Sequence, residues 1–242
     1  MGEVKKNDIK QILHDKLVLL KNEPHNRFIR LEIAHLLVKA GFPHNGVRII
    51  RTMAERLANQ GYILVAIAAV CYGLKLVEKN GVLISTLKHL FVRSKKANTG
   101  NYQMPPKING DECKDDLKIV DDVINRDIAK MPDYQFYDGV TETVLQMGKR
   151  DDFTAIPLPM QIFKELDLDE FLDTIISLEY IRAKTGDVII KQGDIGDYLI
   201  ILASGHVNIK KDGTHVAKVG TGIILGEMAL VTDSKRNATI IA

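Results

Sequence analysis

Cysteine is scarce in this chain, with two residues among 242. Cys71 lies in an apolar stretch and Cys113 in an acidic one, so the sequence indicates no disulfide framework and favours a reducing, cytoplasmic compartment. Long apolar runs are also missing: residues 63–74 form the most apolar stretch, which is too short to span a bilayer and suits a buried helix. The N-terminal stretch MGEVKKNDIK has no apolar core, so no signal peptide is expected.

An excess of charge of either sign is absent as well. The chain has 33 Lys and Arg against 31 Asp and Glu, which gives a formal net charge of +2. The basic cluster at 88–96 is interpreted as the solvated end of a helix. This balance argues against a nucleic-acid partner, and no membrane span is expected.

The first 97 residues have a helical pattern. Gly41, Gly61 and Gly81 stand 20 residues apart, and each follows an amphipathic stretch that it could terminate. Short connections of this kind predict antiparallel helices, used as a protein-interaction domain whose partner is unknown. With Ala40-Gly41 and Ala66, the pattern loosely resembles tetratricopeptide-like repeats, although a plain four- or five-helix bundle fits nearly as well.

A linker is predicted over 98–158, because ANTGNYQMPPKING at its start is rich in Asn, Gly and Pro. Inside it, apolar residues at helical spacing predict a helix near 115–130 that ends before Pro132. Residues 134–159 are expected to be irregular, with a possible short element at 140–147.

From Pro159 the pattern changes. Asp167 and Glu170 have the spacing of a helix capping box. Short runs of β-branched residues then alternate between glycines, which is typical of strands in a small barrel or jelly roll. The alternating residues are Val188, Ile190, Tyr198, Ile200, Leu202, Val207 and Ile209. The expected fold class is therefore α+β, with helices followed by a β-barrel over 159–242.

The stretch LGEMALVTDSKRNAT, at 225–239, combines groups suited to a small phosphate-bearing sugar. Gly226 allows close approach of the backbone, and a helical turn over 227–230 would direct amide groups at an anion. Glu227 could accept a hydrogen bond from a ribose hydroxyl, and Arg236 carries a planar fork that suits phosphate oxygens. The alternative for Arg236 is a surface ion pair with Asp233 or Glu227.

This stretch resembles the phosphate-binding cassette of the cyclic nucleotide-binding domain family, which includes the catabolite activator protein and the regulatory subunits of protein kinase A. The motifs LGEMAL, RNAT, TGDVIIKQGDIGD and ASGHVNI carry the resemblance, from about 159 to 242. It implies that Glu227 binds the ribose 2′-OH and that Arg236 pairs with the cyclic phosphate. The implied site comprises Gly226, Glu227, Met228, Ala229, Arg236, Asn237 and Ala238.

Three positions depart from the family pattern, at Leu225, Lys235 and Asn237. Asn237 lacks the hydroxyl that helps to hold cGMP in some relatives, so the ligand is expected to be cAMP or cGMP with a modest preference for cAMP, and without a metal. The chain stops at NATIIA, in mid-strand, so the barrel is expected to be truncated and to lack its lid helix.

The leading interpretation is a cyclic nucleotide sensor that couples ligand binding to the helical domain. Two alternatives are a scaffold protein with a degenerate, non-binding barrel, and the regulatory part of a longer protein whose output domain follows residue 242. A transcription factor is disfavoured because no basic recognition helix is present. An enzyme is disfavoured because P-loop, HExxH and nucleophile-elbow motifs are absent. His35 is interpreted as a core histidine, and His206 and His215 as surface residues on strands that lack metal-ligand spacing.

Overall fold

The computed structural model describes residues 6–98, 124–125, 131–147, 163–232 and 234–242. Contacts divide the chain into two compact units, Met1–Leu178 and Glu179–Ala242. The first unit is helical and the second contains antiparallel strands, as expected for an α+β chain. The domain boundaries at 97 and 158 stay predictions, because much of the segment between them, including almost all of the helix near 115–130, lies outside the described residues.

The described helices of the first unit are α1 (Lys6–Asn22), α2 (Arg27–Lys39), α3 (Pro43–Asn59), α4 (Ile63–Leu76), α5 (Gly81–Asn98), α6 (Asp133–Gln146) and α7 (Leu168–Ser177). Helix α3 packs against α2, α4, α5 and α6, so it forms the centre of the unit. Helix α4 buries residues around most of its circumference, as its apolar composition predicts. Contacts among consecutive helices fit both the repeat and the bundle interpretation.

Two of the three regularly spaced glycines end helices. Gly41 and Gly61 have φ angles of +91° and +90°, in the left-handed region that a side chain would disfavour. After each glycine, the next amide donates back to the last turn, from Phe42 to Leu37 O at 2.9 Å and from Tyr62 to Leu57 O at 2.8 Å. These are the hydrogen bonds of a Schellman helix end.

Gly81 has a different role from the one expected. It is the first residue of α5, and Lys79 takes the positive φ of 54° at this turn. The Asn80 side chain accepts hydrogen bonds from Val82 N at 3.1 Å and Leu83 N at 3.2 Å. Asn80 therefore caps the start of α5, and the 20-residue interval does not repeat the same local structure.

Helix α6 occupies the first part of the segment 134–159, which was expected to be irregular apart from a short element at 140–147; residues 148–159 lie outside the described residues. Phe136, Tyr137, Val140 and Val144 are buried at helical spacing. Arg30 donates to Met147 O at 2.7 Å, and Arg56 donates to Leu145 O at 2.5 Å. Side chains from α2 and α3 thus bind carbonyl groups at the carboxyl end of α6, which helps to explain why a helix forms here despite its Gly and Thr residues.

Helix α7 begins with the predicted capping box. Asp167 Oδ1 accepts from Glu170 N, and Glu170 Oε2 accepts from Asp167 N, both at 2.9 Å. Phe171 is buried on this helix, with ring centroids 4.9 Å from Phe91 and 5.4 Å from Phe163. These aromatic contacts place α7 in the helical unit.

The second unit contains β1 (Val188–Ile190), β2 (Ile200–Ile201), β3 (His206–Lys211), β4 (Thr214–Gly220), β5 (Ile224–Leu225), the short helix α8 (Glu227–Thr232) and β6 (Thr239–Ile241). One antiparallel sheet has the order β1-β6-β3-β4, and a second pairs β2 with β5. Ile190, Val207, Leu225 and Ile240 form the core between them. This arrangement agrees with the predicted barrel-type domain and leaves His206 and His215 exposed on strands.

Candidate functional site

Arg236 lies between α8 and β6, and its backbone is fixed to the loop that follows β1. Arg236 N donates to Asp194 O at 2.8 Å, and Gly193 N donates to Arg236 O at 2.9 Å. Ile195 and Lys235 form an antiparallel bridge beside this pair. The loop 193–198 therefore fixes the position of the Arg236 backbone, from which the side chain extends.

The guanidinium group of Arg236 is buried, with 4% of the residue exposed. Nη1 donates to Gly226 O at 2.7 Å, and Nη2 donates to Tyr198 O at 2.6 Å. The Tyr198 ring centroid lies 4.5 Å from Cζ, within the range of a cation–π contact. These partners are all uncharged, and no carboxylate of a described residue forms an ion pair with this guanidinium.

The alternative ion pair of Arg236 is therefore not formed with Glu227. Glu227 is exposed at the first position of α8. Asp233, the other alternative partner, lies outside the described residues. A buried cation with neutral partners provides a favourable environment for an anionic ligand.

Two glycines leave space for the guanidinium. Gly226 has a φ of +86°, and a Cβ there would collide with Arg236 Nη1. At Gly196, a Cβ would lie 2.5 Å from Ala229 Cβ and 2.9 Å from Arg236 Cζ and Nε. Gly196 is one of the glycines between the short β-branched runs, and the packing of Arg236 requires that it has no side chain.

The structure brings the two halves of the predicted cassette together. Gly226 contacts Arg236 through its carbonyl, and Ala229 is buried beside Gly196 and the same side chain. Met228 and Asn237 are exposed and approach each other, with Nδ2 of Asn237 4.0 Å from Met228 Sδ. Ala238 is half-buried just before β6. The binding roles of these residues remain predictions.

Tyr198 is the site residue that sequence reasoning missed. The alternation Tyr198, Ile200, Leu202 predicted a half-buried strand, whereas β2 begins at Ile200 and Tyr198 is 46% exposed. Its carbonyl and its ring both contact the guanidinium of Arg236. The two residues are 38 positions apart, so no local pattern could have revealed their contact.

Displaced pKa values occur in the helical unit. Burial, reinforced by Lys39, lowers the pKa of His35, whose Nδ1 lies 2.8 Å from the Tyr72 hydroxyl. Burial raises the pKa of the Cys71 thiol and, together with Asp133, that of Tyr137. Burial is the largest cause of each shift, and His35 has the hydrogen-bonded position expected for a structural histidine.

Within the described ranges, no group of three or more His, Cys, Asp and Glu residues could hold a metal ion. None of the helices in the described part of the chain has the length and apolar character needed to cross a membrane.

Comparison with known proteins finds a family match for the C-terminal unit. Residues 180–242 match the family model for the cyclic nucleotide-binding domain, so the resemblance expected from the cassette is confirmed there. The match begins about 20 residues after Pro159, where the resemblance was expected to start. The tetratricopeptide-like resemblance of the helical unit stays a prediction.

Similar curated proteins include cAMP-dependent protein kinase regulatory subunits of Yarrowia lipolytica and Debaryomyces hansenii. They are 40% and 41% identical over 81 residues, which is 34% of this chain and 22% and 18% of those proteins. A cGMP-dependent protein kinase of Drosophila melanogaster is 27% identical over 93 residues, or 38% of this chain and 8% of that protein. The chain therefore spans about a fifth of the length of the first two relatives.

A solved structure described as "Sp-2Cl-cAMPS bound to PKAR CBD2" is also similar. It shares 32% sequence identity, covering 34% of this chain and 57% of that chain, with a TM-score of 0.32.

Proposed function

We propose that this protein is a cAMP-binding regulatory protein, with the cyclic nucleotide held by the C-terminal unit and a protein partner bound by the helical unit. The buried guanidinium of Arg236, with only uncharged partners among the described residues, carries the proposal. It lies within the segment that matches the cyclic nucleotide-binding domain.

Electrostatics favour an anion at this position. Removing a guanidinium from water is costly unless hydrogen bonds and an opposite charge compensate. Carbonyl groups of Gly226 and Tyr198 use two of its five N–H donors, and the other three have no acceptor among the described residues. A cyclic phosphate would supply both acceptors and the negative charge.

The other cassette residues complete the proposed ligand contacts. Glu227, exposed next to Gly226, would accept a hydrogen bond from the ribose 2′-OH. Backbone amides near Gly226 and Ala229 would join Arg236 in holding the phosphate. Asn237 would complete the phosphate cradle, while Met228 and Ala238 line its rim.

The preference for cAMP has two supports. The relatives at 40% and 41% identity are named cAMP-dependent, whereas that at 27% is named cGMP-dependent. Asn237 also has no hydroxyl with which to hold cGMP as some family members do. We expect the preference over cGMP to be at most about tenfold, because phosphate and ribose contacts are common to both ligands.

The protein is proposed to act in the cytoplasm as a regulator without enzymatic activity of its own. Its free, buried Cys71 suits a reducing compartment. Ligand binding would regulate the helical unit only in so far as cAMP binds two conformations of the protein with different affinities.

Isothermal titration calorimetry of the 242-residue chain with cAMP, cGMP and adenosine tests the proposal. We expect binding of both cyclic nucleotides, no binding of adenosine, and at least about tenfold weaker cAMP binding by Arg236→Ala. Arg236→Lys should also bind weakly, because a single ammonium cannot replace the planar fork.

Arg51→Ala provides a matched control, since Arg51 is exposed in the helical unit and pairs with Glu55 at 2.9 Å. Its cAMP affinity should equal that of the unaltered protein. A folded protein that binds neither cyclic nucleotide would contradict the proposal and favour the degenerate-barrel alternative.

A further inference from the structure

Tyr198 contacts the phosphate-binding arginine in two ways. Its carbonyl accepts from Nη2 at 2.6 Å, and its ring centroid lies 4.5 Å from Cζ. Gly196 lies against the same guanidinium, where a Cβ would come within 2.9 Å of Cζ and Nε. The guanidinium therefore has little freedom to leave the slot between these residues and Gly226.

The ring of Tyr198 is not part of the aliphatic core cluster of its unit. The residue is 46% exposed and precedes β2, while the core of the unit is formed by aliphatic side chains. Its hydroxyl reaches Ile189 O at 3.4 Å, near the upper limit for a hydrogen bond. The described residues thus give the face of this ring a cation–π contact with Arg236 and its hydroxyl a long hydrogen bond.

We propose that Tyr198 is a positioning residue whose aromatic ring holds the Arg236 guanidinium in the orientation that binds the phosphate of a cyclic nucleotide. A carboxylate in this position would orient the arginine but compete with the phosphate for it. An aromatic ring orients the cation through its face and leaves the charge uncompensated and the in-plane N–H donors available.

This inference rests on the proposed function and deepens it. Loss of the ring should allow the guanidinium to reorient, although the backbone carbonyl at position 198 remains. The effect on cAMP affinity should match the usual strength of a cation–π contact, roughly five- to tenfold.

The test compares cAMP binding by Tyr198→Leu, Tyr198→Phe and the unaltered chain by calorimetry. Tyr198→Leu should bind about five- to tenfold more weakly, whereas Tyr198→Phe, which keeps the ring, should stay within about twofold. Tyr134→Leu is the matched control, because Tyr134 is 61% exposed and lies in the helical unit; its affinity should not change.

Tyr198→Trp adds a spectroscopic readout that remains informative if the leucine variant unfolds. The chain has no tryptophan, so this variant reports from position 198 alone. This variant should retain its affinity for cAMP, because indole binds cations well. Its tryptophan emission should change on addition of cAMP, with a midpoint at the Kd measured by calorimetry.

Equal affinities of Tyr198→Leu and the unaltered chain would overturn the inference, as would a phenylalanine variant as weak as the leucine variant. Unchanged tryptophan emission at saturating cAMP would also overturn it. If the unaltered chain does not bind cAMP, the proposed function fails and this inference fails with it. If the unaltered chain binds cAMP but the Tyr198 variants do not behave as expected, the inference alone fails.

Discussion

The two units bury different kinds of side chain. In the helical unit, aliphatic and aromatic residues fill the interior, with Phe136, Tyr137, Phe163 and Phe171 among its largest fully buried side chains. The C-terminal unit has a small core of Ile190, Val207, Leu225 and Ile240, and it also buries the guanidinium of Arg236. Stability thus depends mainly on apolar packing in the first unit, whereas the second also buries a cation, for which we propose a ligand-binding role.

This difference follows from size and topology. Seven described helices each contribute an apolar face to the first unit, and α3 contacts four others. Short strands separated by turns contribute few buried residues, so the C-terminal unit relies more on strand pairing and on hydrogen bonds to carbonyl groups.

The largest expected effect is on the aromatic packing of the helical unit. Phe171→Ala should lower the free energy of unfolding by about 3–5 kcal/mol, because it removes a fully buried ring between Phe91 and Phe163. Urea denaturation followed by circular dichroism at the helical band measures it. Val92→Ala is the control, since Val92 is 52% exposed and should change stability by about 0.5 kcal/mol or less.

If Phe171→Ala lowers the free energy of unfolding by less than about 1 kcal/mol, the helical unit is not stabilised mainly by apolar packing at this position. Such a small loss would mean that the helical unit does not depend on this aromatic cluster.

The next effect concerns the slot around Arg236. Gly196→Ala should destabilise the C-terminal unit by about 1–3 kcal/mol, because the new Cβ would collide with Ala229 and Arg236. Faster hydrogen exchange of β3 peptides, observed by mass spectrometry, measures the loss. Gly81→Ala is the matched control, since a Cβ there meets no atom within 4 Å and its φ is not positive.

Unchanged exchange in β3 would show that the slot around the guanidinium can expand without cost. The close fit between Gly196 and Arg236 would then contribute nothing to the stability of the C-terminal unit.

The smallest effect is the pH dependence of the helical unit. Because the folded protein lowers the pKa of His35 below 6.5, the unfolded chain binds a proton more readily than the folded one. The contribution of His35 to stability is therefore complete above pH 6.5. It decreases as the pH falls from 6.5 toward the lowered pKa of His35 in the folded protein. Urea denaturation of the unaltered chain and of His35→Gln, which can still bond to Tyr72, measures this difference.

An equal decrease in stability for both proteins on acidification would assign the pH dependence to other groups. His35 is half-buried, so the expected contribution is small compared with those of Phe171 and Gly196.

Local signals predicted much of the helical unit. Gly41 and Gly61 end helices, and Asp167 and Glu170 form the expected capping box. Of helix α6, only a short element at 140–147 was expected, because the helix depends on burial of Phe136 and Tyr137 and on arginines far away in sequence. At Gly81 the regular interval was misleading, since the preceding Asn80 side chain provides a cap.

The sequence motif brought Gly226 and Arg236 to attention but could not show what surrounds the guanidinium. The motif depends on types and spacing of nearby residues, whereas the contact between Tyr198 and Arg236 requires the loop after β1 to pack against the segment before β6. The role of Gly196 depends on the same long-range packing. Its φ is outside the positive range, so the turn alone does not require a glycine there.

The central claim is that the buried guanidinium of Arg236 binds the phosphate of a cyclic nucleotide. Nuclear magnetic resonance of the chain labelled with ¹⁵N-arginine tests it most directly, because the Nε–H signal of Arg236 can be assigned by its loss in Arg236→Lys. Saturating cAMP should shift this signal and slow its exchange with solvent, whereas adenosine, which lacks the phosphate, should leave it unchanged. An Arg236 signal that is unaffected by cAMP, or equally affected by adenosine, would contradict the account.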